Sequence, residues 1–417
     1  MAILKKISKS PPTYDIIFII YKKEKTKMNF SKSKKLDYFN TGIFAALDDK
    51  KQALLSQGRR IFNLSIGTPD FLPFKHITEA LSEASADPKN YGYSLIDIPE
   101  MLDAVSAYYK DRYGVDGIKP SEIVSVHGSQ YGIGHLGIAL CDPEDIVLLP
   151  NPGYPIFEAG SYLGGPEIYY YPLTEENAFL PVIEEIPEEV LLRTKYMIVS
   201  YPLNPVCRCA PASLYTKLIE YAKKYNFIII HDNAYSDIIY DGRKGGSFLA
   251  FPGAKDVGIE FLSLSKSYNL TGARISFAVG NETVVNAIKF LKSQIDFGMF
   301  IPIQKAAAAA LTGPRDEVEA QCRAYEERRN AFCGGMRSIG WNVPDSEGTM
   351  FVWAPIPPKF KSSFEFCDAL MEKTGVIGTP GAAFGSLGEG YIRFALVKPV
   401  EEIKEIVKVI DESGILK

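Results

Sequence analysis

Lys266 has the setting in this chain that most clearly suggests chemistry. It lies in the run SLSKSYNLTGAR, residues 263–274, directly after an apolar segment that begins at Ile259. A lysine at the end of a buried strand loses solvation, which lowers its pKa and leaves its amine free to attack a carbonyl. Arg274 and the neighbouring hydroxyl groups could bind an anion such as a phosphate. The run therefore predicts a lysine that forms a Schiff base.

Other polar groups follow apolar runs in the same way. The turn at residues 127–130 follows one such run, Asn204 lies between two prolines after another, and Asp232 follows Phe227–Ile230. Ligands of open α/β sheets bind at the carboxyl ends of the strands, so we expect these groups to converge near Lys266. Taken singly, each group also fits a plainer interpretation, such as a helix cap or a structural turn.

Together these groups meet the needs of pyridoxal phosphate. Its aldehyde needs a lysine, its ring nitrogen an acid, its phenolate oxygen a donor, and its phosphate an anion site. Lys266, Asp232, Tyr235 and the turn at Gly128 and Ser129 supply these groups. The sequence therefore predicts a pyridoxal 5'-phosphate site.

These groups must be positioned by the secondary structure around them. From about Ser121 onward, the sequence alternates short apolar runs with longer amphipathic ones. This alternation predicts α/β units around a mainly parallel sheet. The predicted strands are Glu122–Val126, Ile146–Leu149, Tyr196–Ser200, Phe227–Ile230, Glu260–Leu264 and Arg274–Val279. The predicted helices of the same region are Ala212–Tyr225, Glu282–Ser293, Pro302–Leu311 and Glu317–Ser338.

The pattern changes after Gly340 and predicts a smaller α+β domain. Its predicted elements are the strands Thr349–Ala354 and Tyr391–Leu396, the helices Phe364–Lys373 and Val400–Glu412, and a completing helix, Thr41–Gln57. We predict four segments: a basic extension over residues 1–27, an N-terminal arm with part of the small domain over 28–75, a large cofactor-binding domain over 76–300, and a small C-terminal domain over 301–417.

Composition excludes several classes of function. The 417 residues carry a net charge of −4, which gives no reason to expect nucleic acid as a partner. The six scattered cysteines predict neither disulfides nor a metal site and fit a reducing cytoplasm. No segment predicts a membrane span, since the apolar patch Ile16–Ile20 is too short. Because the first 27 residues carry seven lysines and Met28 opens a more regular segment, translation from Met1 or from Met28 stays open.

These motifs resemble the class I/II aminotransferases, the fold-type I pyridoxal-phosphate enzymes, from about Phe62 to Ile410. The resemblance rests on Ser-x-Ser-Lys with Arg274 eight residues after Lys266, and on 28 residues from Asn204 to Asp232 followed by three to Tyr235. It implies a large domain with a mainly parallel sheet flanked by helices, plus a smaller α+β domain. It also implies a homodimer with shared active sites that moves an amino group from an L-amino acid to a 2-oxo acid.

The resemblance further implies roles for single residues. For the cofactor these are Lys266 for the Schiff base and the proton shift, Asp232 for the ring nitrogen, Asn204 and Tyr235 for the phenolate oxygen, Tyr154 for stacking, and Gly128, Ser129, Ser263 and Arg274 with the neighbouring Gln130 for the phosphate. For the substrate they are Arg393 for the α-carboxylate, with Asn204, and Gly67 in the N-terminal loop. Tyr93 resembles the tyrosine lent to the phosphate of the neighbouring subunit, and Tyr91 is the alternative.

Other interpretations stay open at this stage. The same carbanion chemistry would serve a C–S β-lyase, and the same fold a non-catalytic regulator. Residues 132–137 read Gly-x-Gly-x-x-Gly, the dinucleotide fingerprint, although their place inside a predicted helix favours close packing of that helix on the sheet. Val206 and Cys207 stand where the family commonly has threonine and glycine, and Ala273 replaces a usual tryptophan. These departures leave the amino-acid substrate open.

Overall fold

The computed structural model describes residues 30–39 and 42–417, and of residues 42–47 only the backbone. The chain divides into two compact units, Met1–Asn40 and Thr41–Lys417. The described part of the first unit holds one turn of 3-10 helix, Lys34–Asp37. The predicted basic extension and the choice between Met1 and Met28 lie outside the described residues.

The described strands and helices alternate along most of the second unit. The strands are β1 (Phe62–Asn63), β2 (Ile123–Val126), β3 (Ile146–Asn151), β4 (Glu167–Pro172), β5 (Thr194–Val199), β6 (Ile228–Asn233), β7 (Gly258–Ser263), β8 (Ser276–Gly280), β9 (Phe351–Pro355), β10 (Val376–Ile377), β11 (Thr379–Pro380) and β12 (Tyr391–Ala395). The helices are α1 (Gly42–Ser56), α2 (Lys75–Ala86), α3 (Pro99–Tyr113), α4 (Ser129–Gly134), α5 (Leu136–Leu140), α6 (Pro155–Gly164), α7 (Glu188–Leu191), α8 (Ala212–Tyr225), α9 (Ala254–Val257), α10 (Leu264–Ser267), α11 (Glu282–Ile295), α12 (Ile301–Thr312), α13 (Asp316–Ser338), α14 (Ser363–Thr374) and α15 (Val400–Glu412).

A seven-stranded sheet, as far as the described residues show, forms the centre of this unit in the order β2-β8-β7-β6-β5-β3-β4. All its neighbouring pairs are parallel except those of β8, which runs antiparallel to β2 and β7. The carboxyl ends of β3, β5, β6 and β7 therefore meet at one edge. The central strands are buried along almost their whole length, as expected of a sheet covered by helices on both faces. The predicted fold class is confirmed.

A smaller antiparallel sheet has the order β11-β12-β9, and β1 pairs in parallel with β10. Helix α1 contacts this region, because Lys50 forms ion pairs with Asp368 and Glu372 of α14. Leu54 of α1 packs in one cluster with Met371. These contacts fit a completing role for the N-terminal helix, whereas the division into four segments stays a prediction.

Sequence periodicity located most elements and missed some ends. Helices α8 and α15 have the predicted bounds. The predicted strand that began at Arg274 begins at Ser276 instead, because Arg274 adopts a left-handed φ of +54° that no strand tolerates. The edge strand β4 was not predicted, since its half-exposed sequence, Glu167–Pro172, ends in proline and resembles a loop. Among the described residues no helix is both long and apolar enough to span a membrane.

Candidate active site

A cavity of about 360 Å³ lies at the carboxyl edge of the large sheet. Most of the predicted site residues line it: Gly67, Ser129, Gln130, Tyr154, Asn204, Asp232, Tyr235, Ser263, Lys266, Arg274 and Arg393. Gly128 lies directly beside the cavity, in contact with Arg274. The strand-end groups therefore converge in space as the parallel sheet predicts.

Lys266 lies in the short helix α10, directly after β7. Ser263 ends the strand and caps this helix by accepting a hydrogen bond from the backbone N–H of Ser265 at 3.2 Å. The Lys266 Nζ donates to the backbone oxygen of Gly67 at 2.7 Å. Burial, and then the nearby cations Arg393 and Arg274, lower the pKa of Lys266 to about 8. An appreciable fraction of this amine is therefore neutral at mildly alkaline pH and able to act as a nucleophile.

Asp232 is the penultimate residue of β6, whereas the sequence predicted that the strand ends two residues before it. Burial raises the pKa of Asp232 to about 6. Its Oδ1 is buried and accepts no hydrogen bond from any described residue. A buried carboxylate oxygen without a partner calls for a donor. The protonated ring nitrogen of a bound pyridoxal phosphate fits this requirement.

Gly128, Ser129 and Arg274 form a cradle at one end of the cavity. Gly128 has φ +84°, and a Cβ at this position would come within 2.3 Å of the Arg274 Nη2. The guanidinium thus occupies space that only a glycine leaves open. The Ser129 Oγ is buried without a hydrogen-bond partner among the described residues. A free hydroxyl donor beside a guanidinium fits a phosphate group.

Arg393 lies in the middle of β12 and is fixed on both sides. Its Nη1 donates to the Asn204 Oδ1 at 2.9 Å, and its Nη2 donates to the backbone oxygen of Ser65 at 2.9 Å. The rings of Phe351 and Phe384 lie 4.1 Å and 4.6 Å from its Cζ. Burial lowers the pKa of Arg393 to about 10, and its Nε is buried without a hydrogen-bond partner among the described residues. The side chain is held as a cation with a donor to spare, which suits a carboxylate ligand.

The two predicted ring-contacting tyrosines also line the cavity. Tyr154 OH donates to the Gln130 Oε1 at 3.3 Å. Burial raises the pKa of Tyr235 well above its usual range, so its hydroxyl keeps the proton and remains a donor. Asn204 uses its Oδ1 for Arg393, which leaves its Nδ2 for another acceptor. Tyr235 and Asn204 can therefore donate together to one oxygen of a ligand.

Tyr93 and Tyr91 lie away from the cavity of their own chain. Tyr93 is 87% exposed and contacts the ring of Phe297, while Tyr91 is 63% exposed and donates to the backbone oxygen of Ser85. Asp97, which follows these tyrosines, accepts a hydrogen bond from the backbone N–H of Ser125 on β2 at 2.7 Å. The role of either tyrosine in a neighbouring subunit stays a prediction.

The Gly-x-Gly-x-x-Gly stretch lies within helices α4 and α5 rather than in a loop that faces a ligand. A Cβ at Gly132 would come within 2.4 Å of Phe261 on β7. A Cβ at Gly137 would come within 2.6 Å of the backbone oxygen of Gly160 on α6. These glycines therefore allow close packing on the sheet, as predicted, and also on a neighbouring helix.

Several lining residues were not among the predicted ones. They are Ser65, Ile66, Ile133, Pro155, Ile156, Ser200, Ala234, Ser265, Thr271, Phe351 and Phe384. Ser200 closed a predicted strand, so the strand-end rule could have found it. Thr271 and Ser265 lie within the lysine run itself. Phe351 and Phe384 carry no polar group, and nothing in the local sequence signals that they flank an arginine.

Comparison with known proteins gives concordant matches in sequence and fold. A family model described as aminotransferase class I and II matches residues 59–410. The LL-diaminopimelate aminotransferase of Moorella thermoacetica is 40% identical over 367 residues, which cover 88% of this chain and 94% of the relative. A substrate-bound structure of BacF from Bacillus subtilis matches with a TM-score of 0.88 at 37% identity, over 92% of this chain and 98% of BacF. A probable N-succinyldiaminopimelate aminotransferase from Thermus thermophilus matches with a TM-score of 0.83 at 34% identity, over 89% of this chain and 100% of that one.

Proposed function

The chain belongs to the aminotransferase class I and II family and is an aminotransferase, and on this premise we propose that it uses pyridoxal phosphate bound around Lys266 to take the amino group of LL-diaminopimelate. The predicted family and transferase activity are thereby confirmed. The donor is inferred from relatives named LL-diaminopimelate aminotransferase at up to 40% identity over most of their length. The observation that carries the cofactor proposal is the convergence of Lys266, Asp232 and Arg393 on one cavity.

Bound pyridoxal phosphate would supply an aldehyde and an electron-withdrawing ring that stabilises negative charge at the substrate Cα. Lys266 would provide the nucleophilic amine and afterwards move a proton with its Nζ. Asp232 would accept a hydrogen bond from the ring nitrogen and keep it protonated. Tyr235 and Asn204 would donate to the phenolate oxygen. The Asp232 assignment rests on its buried Oδ1, which has no partner among the described residues, and the Asn204 assignment on the Nδ2 that remains when its Oδ1 accepts from Arg393.

The phosphate and the substrate carboxylate would bind at separate cations. Ser129 and Arg274, with the backbone at Gly128 and the Ser263 hydroxyl, would bind the phosphate. Arg393 would bind the α-carboxylate through its unpartnered Nε. Gly67 accepts a hydrogen bond from the lysine amine through its backbone oxygen and would lie beside the bound substrate. A larger residue would not fit there, because a Cβ would come within 2.3 Å of Phe351. Tyr154 would stack on the ring.

A homodimer with shared active sites forms part of the proposal. The segments 91–96 and 297–300 carry large exposed apolar side chains next to one another, with the Tyr91 and Phe300 rings 5.3 Å apart and the Tyr93 and Phe297 rings 5.9 Å apart. Ile96 is 82% exposed. Contiguous exposed aromatic and aliphatic groups of this kind mark an interaction surface. A second copy of the chain packed here would bring Tyr93 toward the partner's phosphate.

Mixing two inactive variants tests the shared site. Subunits with Tyr93→Phe keep Lys266, and subunits with Lys266→Ala keep Tyr93. If the sites are shared, a mixed dimer holds one complete site and regains activity that neither variant has at limiting cofactor. A parallel mixture with Tyr91→Phe decides between the two tyrosines, and failure of both mixtures to regain activity contradicts a shared site.

The activity is tested by the half-reaction with single amino acids. Full-length protein loaded with pyridoxal phosphate is mixed with LL-diaminopimelate, alanine, aspartate or an aromatic amino acid, and the 2-oxo acid and pyridoxamine phosphate are quantified. We expect both products with LL-diaminopimelate at the highest rate. Equal or faster reaction of another amino acid contradicts the proposed donor, and pyruvate released from cysteine or cystathionine without pyridoxamine phosphate would favour a β-lyase.

A further inference from the structure

A fully buried histidine and glutamate lie behind the cofactor site and take no part in the roles assigned above. His231 on β6 and Glu260 on β7 are direct neighbours in the parallel register, and both side chains have no exposed surface. The His231 Nδ1 lies 2.8 Å from the Glu260 Oε2. Two titratable groups that water does not reach are thus joined across the two central strands.

The remaining polar atoms of the pair also have partners. Glu260 accepts from Tyr109 OH at 2.9 Å and from the backbone N–H of Phe248 at 2.8 Å. The His231 Nε2 lies 3.2 Å from Tyr215 OH. The carboxylate therefore has three partners within hydrogen-bond distance. Burying such an ion pair seldom increases stability compared with apolar residues of similar volume, so stability alone does not account for it.

Asp232 connects the pair to the cofactor site. It follows His231 directly on β6, and successive side chains of a strand point to opposite faces of the sheet. The pair therefore lies on the face opposite the cavity, one residue away from the acid that faces it. Burial raises the pKa of Asp232 most; a cationic His231 lowers it, and the Glu260 carboxylate raises it. Because all three side chains are buried, such charge effects are weakly screened.

We propose that His231 and Glu260 are positioning residues whose paired charges set the ionisation of Asp232, and thereby the strength with which Asp232 holds the ring nitrogen of the cofactor. This inference rests on the proposed function, since it needs a pyridoxal phosphate at the cavity. When His231 carries two ring protons, its positive charge offsets the negative charge of Glu260. Loss of the histidine leaves that negative charge uncompensated, whereas loss of the glutamate charge leaves the histidine cation alone.

The alternative is purely mechanical bracing. Tyr109 belongs to α3 and Tyr215 to α8, so the network also ties two helices to the sheet. A brace and a charge pair predict different outcomes. Removal of either member of a brace disturbs the site in the same direction, while removal of opposite charges moves the ionisation of Asp232 in opposite directions.

The test compares pyridoxal phosphate with 1-deaza-pyridoxal phosphate, in which a C–H replaces the ring nitrogen. The ratio of the two dissociation constants measures only the contact between Asp232 and the ring nitrogen. The ratio is measured on the full-length protein freed of cofactor, between about pH 5 and about pH 9, for wild type, His231→Gln and Glu260→Gln. Tyr109→Phe is the matched control, because it removes one hydrogen bond from Glu260 without changing a formal charge.

The ratio of the two dissociation constants changes with pH as Asp232 ionises, and the midpoint of that change is the quantity compared. We expect this midpoint to move up by about one pH unit in His231→Gln and down by about one pH unit in Glu260→Gln, with little change in Tyr109→Phe. Movement of both midpoints in the same direction, or no movement, overturns the proposal in favour of bracing. If His231→Gln does not fold, the Glu260→Gln variant decides alone: a downward shift supports the proposal, and an upward or absent shift overturns it. Failure of wild type to bind either compound contradicts the proposed function instead, so the two failures are distinguishable.

Discussion

Gly128 offers a sharp test of the phosphate cradle, because a single methyl group there should displace Arg274. In Gly128→Ala the new Cβ would lie 2.3 Å from the Arg274 Nη2 and 2.8 Å from its Cζ. Contacts under 3 Å force something to move, and the guanidinium is the end of a flexible side chain. The substitution therefore removes a phosphate donor without altering any charged residue.

The magnitude follows from two separate effects. Gly128 has φ +84° and ψ 153°, a conformation almost confined to glycine, so alanine should lower the free energy of unfolding by about 1–3 kcal/mol. Loss of a charge-assisted hydrogen bond between Arg274 and a phosphate costs about 1.5–3 kcal/mol. That second cost corresponds to a roughly 10- to 150-fold weaker binding of pyridoxal phosphate.

Gly114→Ala is the matched control for the first effect. Gly114 also has a positive φ, +70°, at the end of α3, but a Cβ there would meet no atom within 4 Å. Urea unfolding of both variants measures the backbone cost, and titration with pyridoxal phosphate measures the cradle. Pyridoxal, which lacks the phosphate, is the second ligand. We expect Gly114→Ala to lose stability alone and Gly128→Ala to lose both stability and affinity for the phosphorylated ligand.

Binding of pyridoxal phosphate by Gly128→Ala as tightly as by wild type would contradict a phosphate cradle that depends on Arg274. An equal loss of affinity for pyridoxal would contradict it as well, because the defect would then not act through the phosphate.

The remaining predictions concern the charged groups of the cavity. Because burial raises the pKa of Asp232 from 3.8 to about 6, the free energy of unfolding of the wild type falls as pH rises through that range. Asp232→Asn should therefore have a free energy of unfolding about 3 kcal/mol higher than wild type near pH 7, and the difference should close toward pH 4. Because burial lowers the pKa of Lys266 from 10.5 to about 8, the free energy of unfolding of the wild type falls as pH drops through that range. Lys266→Met should therefore have a free energy of unfolding higher than wild type at pH 7, by at most about 3 kcal/mol, and the difference should narrow toward pH 10. Both differences are measured by urea unfolding of the cofactor-free protein. A difference that does not change with pH would contradict a shifted pKa for that residue. Arg393→Lys should weaken binding of the amino-acid donor roughly 100-fold, since lysine has no group at the position of the Nε that is assigned to the carboxylate, while the exposed control Arg193→Lys should leave that binding unchanged.

Much of the site was predictable because its polar groups follow buried strands. Lys266 and Asp232 carry charges that a buried strand end must compensate, so their sequence context alone marked them. A parallel sheet brings successive strand ends together, which is why groups far apart along the chain meet in one cavity.

Long-range packing was not predictable in this way. Phe351 flanks Arg393 because β9 pairs with β12 in the small sheet, and Phe384 flanks it because the turn after β11 contacts the same strand. An apolar residue gives no sign of such a partner in the local sequence. His231 and Glu260 are neighbours through the register of β6 and β7, which local sequence does not specify. Glu260 was the first residue of a predicted strand, and a charged residue there without a visible partner was the one available signal.

Lys266→Ala provides the most direct test of the central claim that this amine carries the cofactor during amino transfer. Wild type and variant are loaded with pyridoxal phosphate, and both the absorbance of the bound cofactor and a single turnover with the proposed donor are recorded. We expect the variant to lack the absorbance of lysine-bound cofactor and to form no 2-oxo acid, while its circular dichroism matches wild type. Oxo acid formed by Lys266→Ala at the wild-type rate would contradict the account.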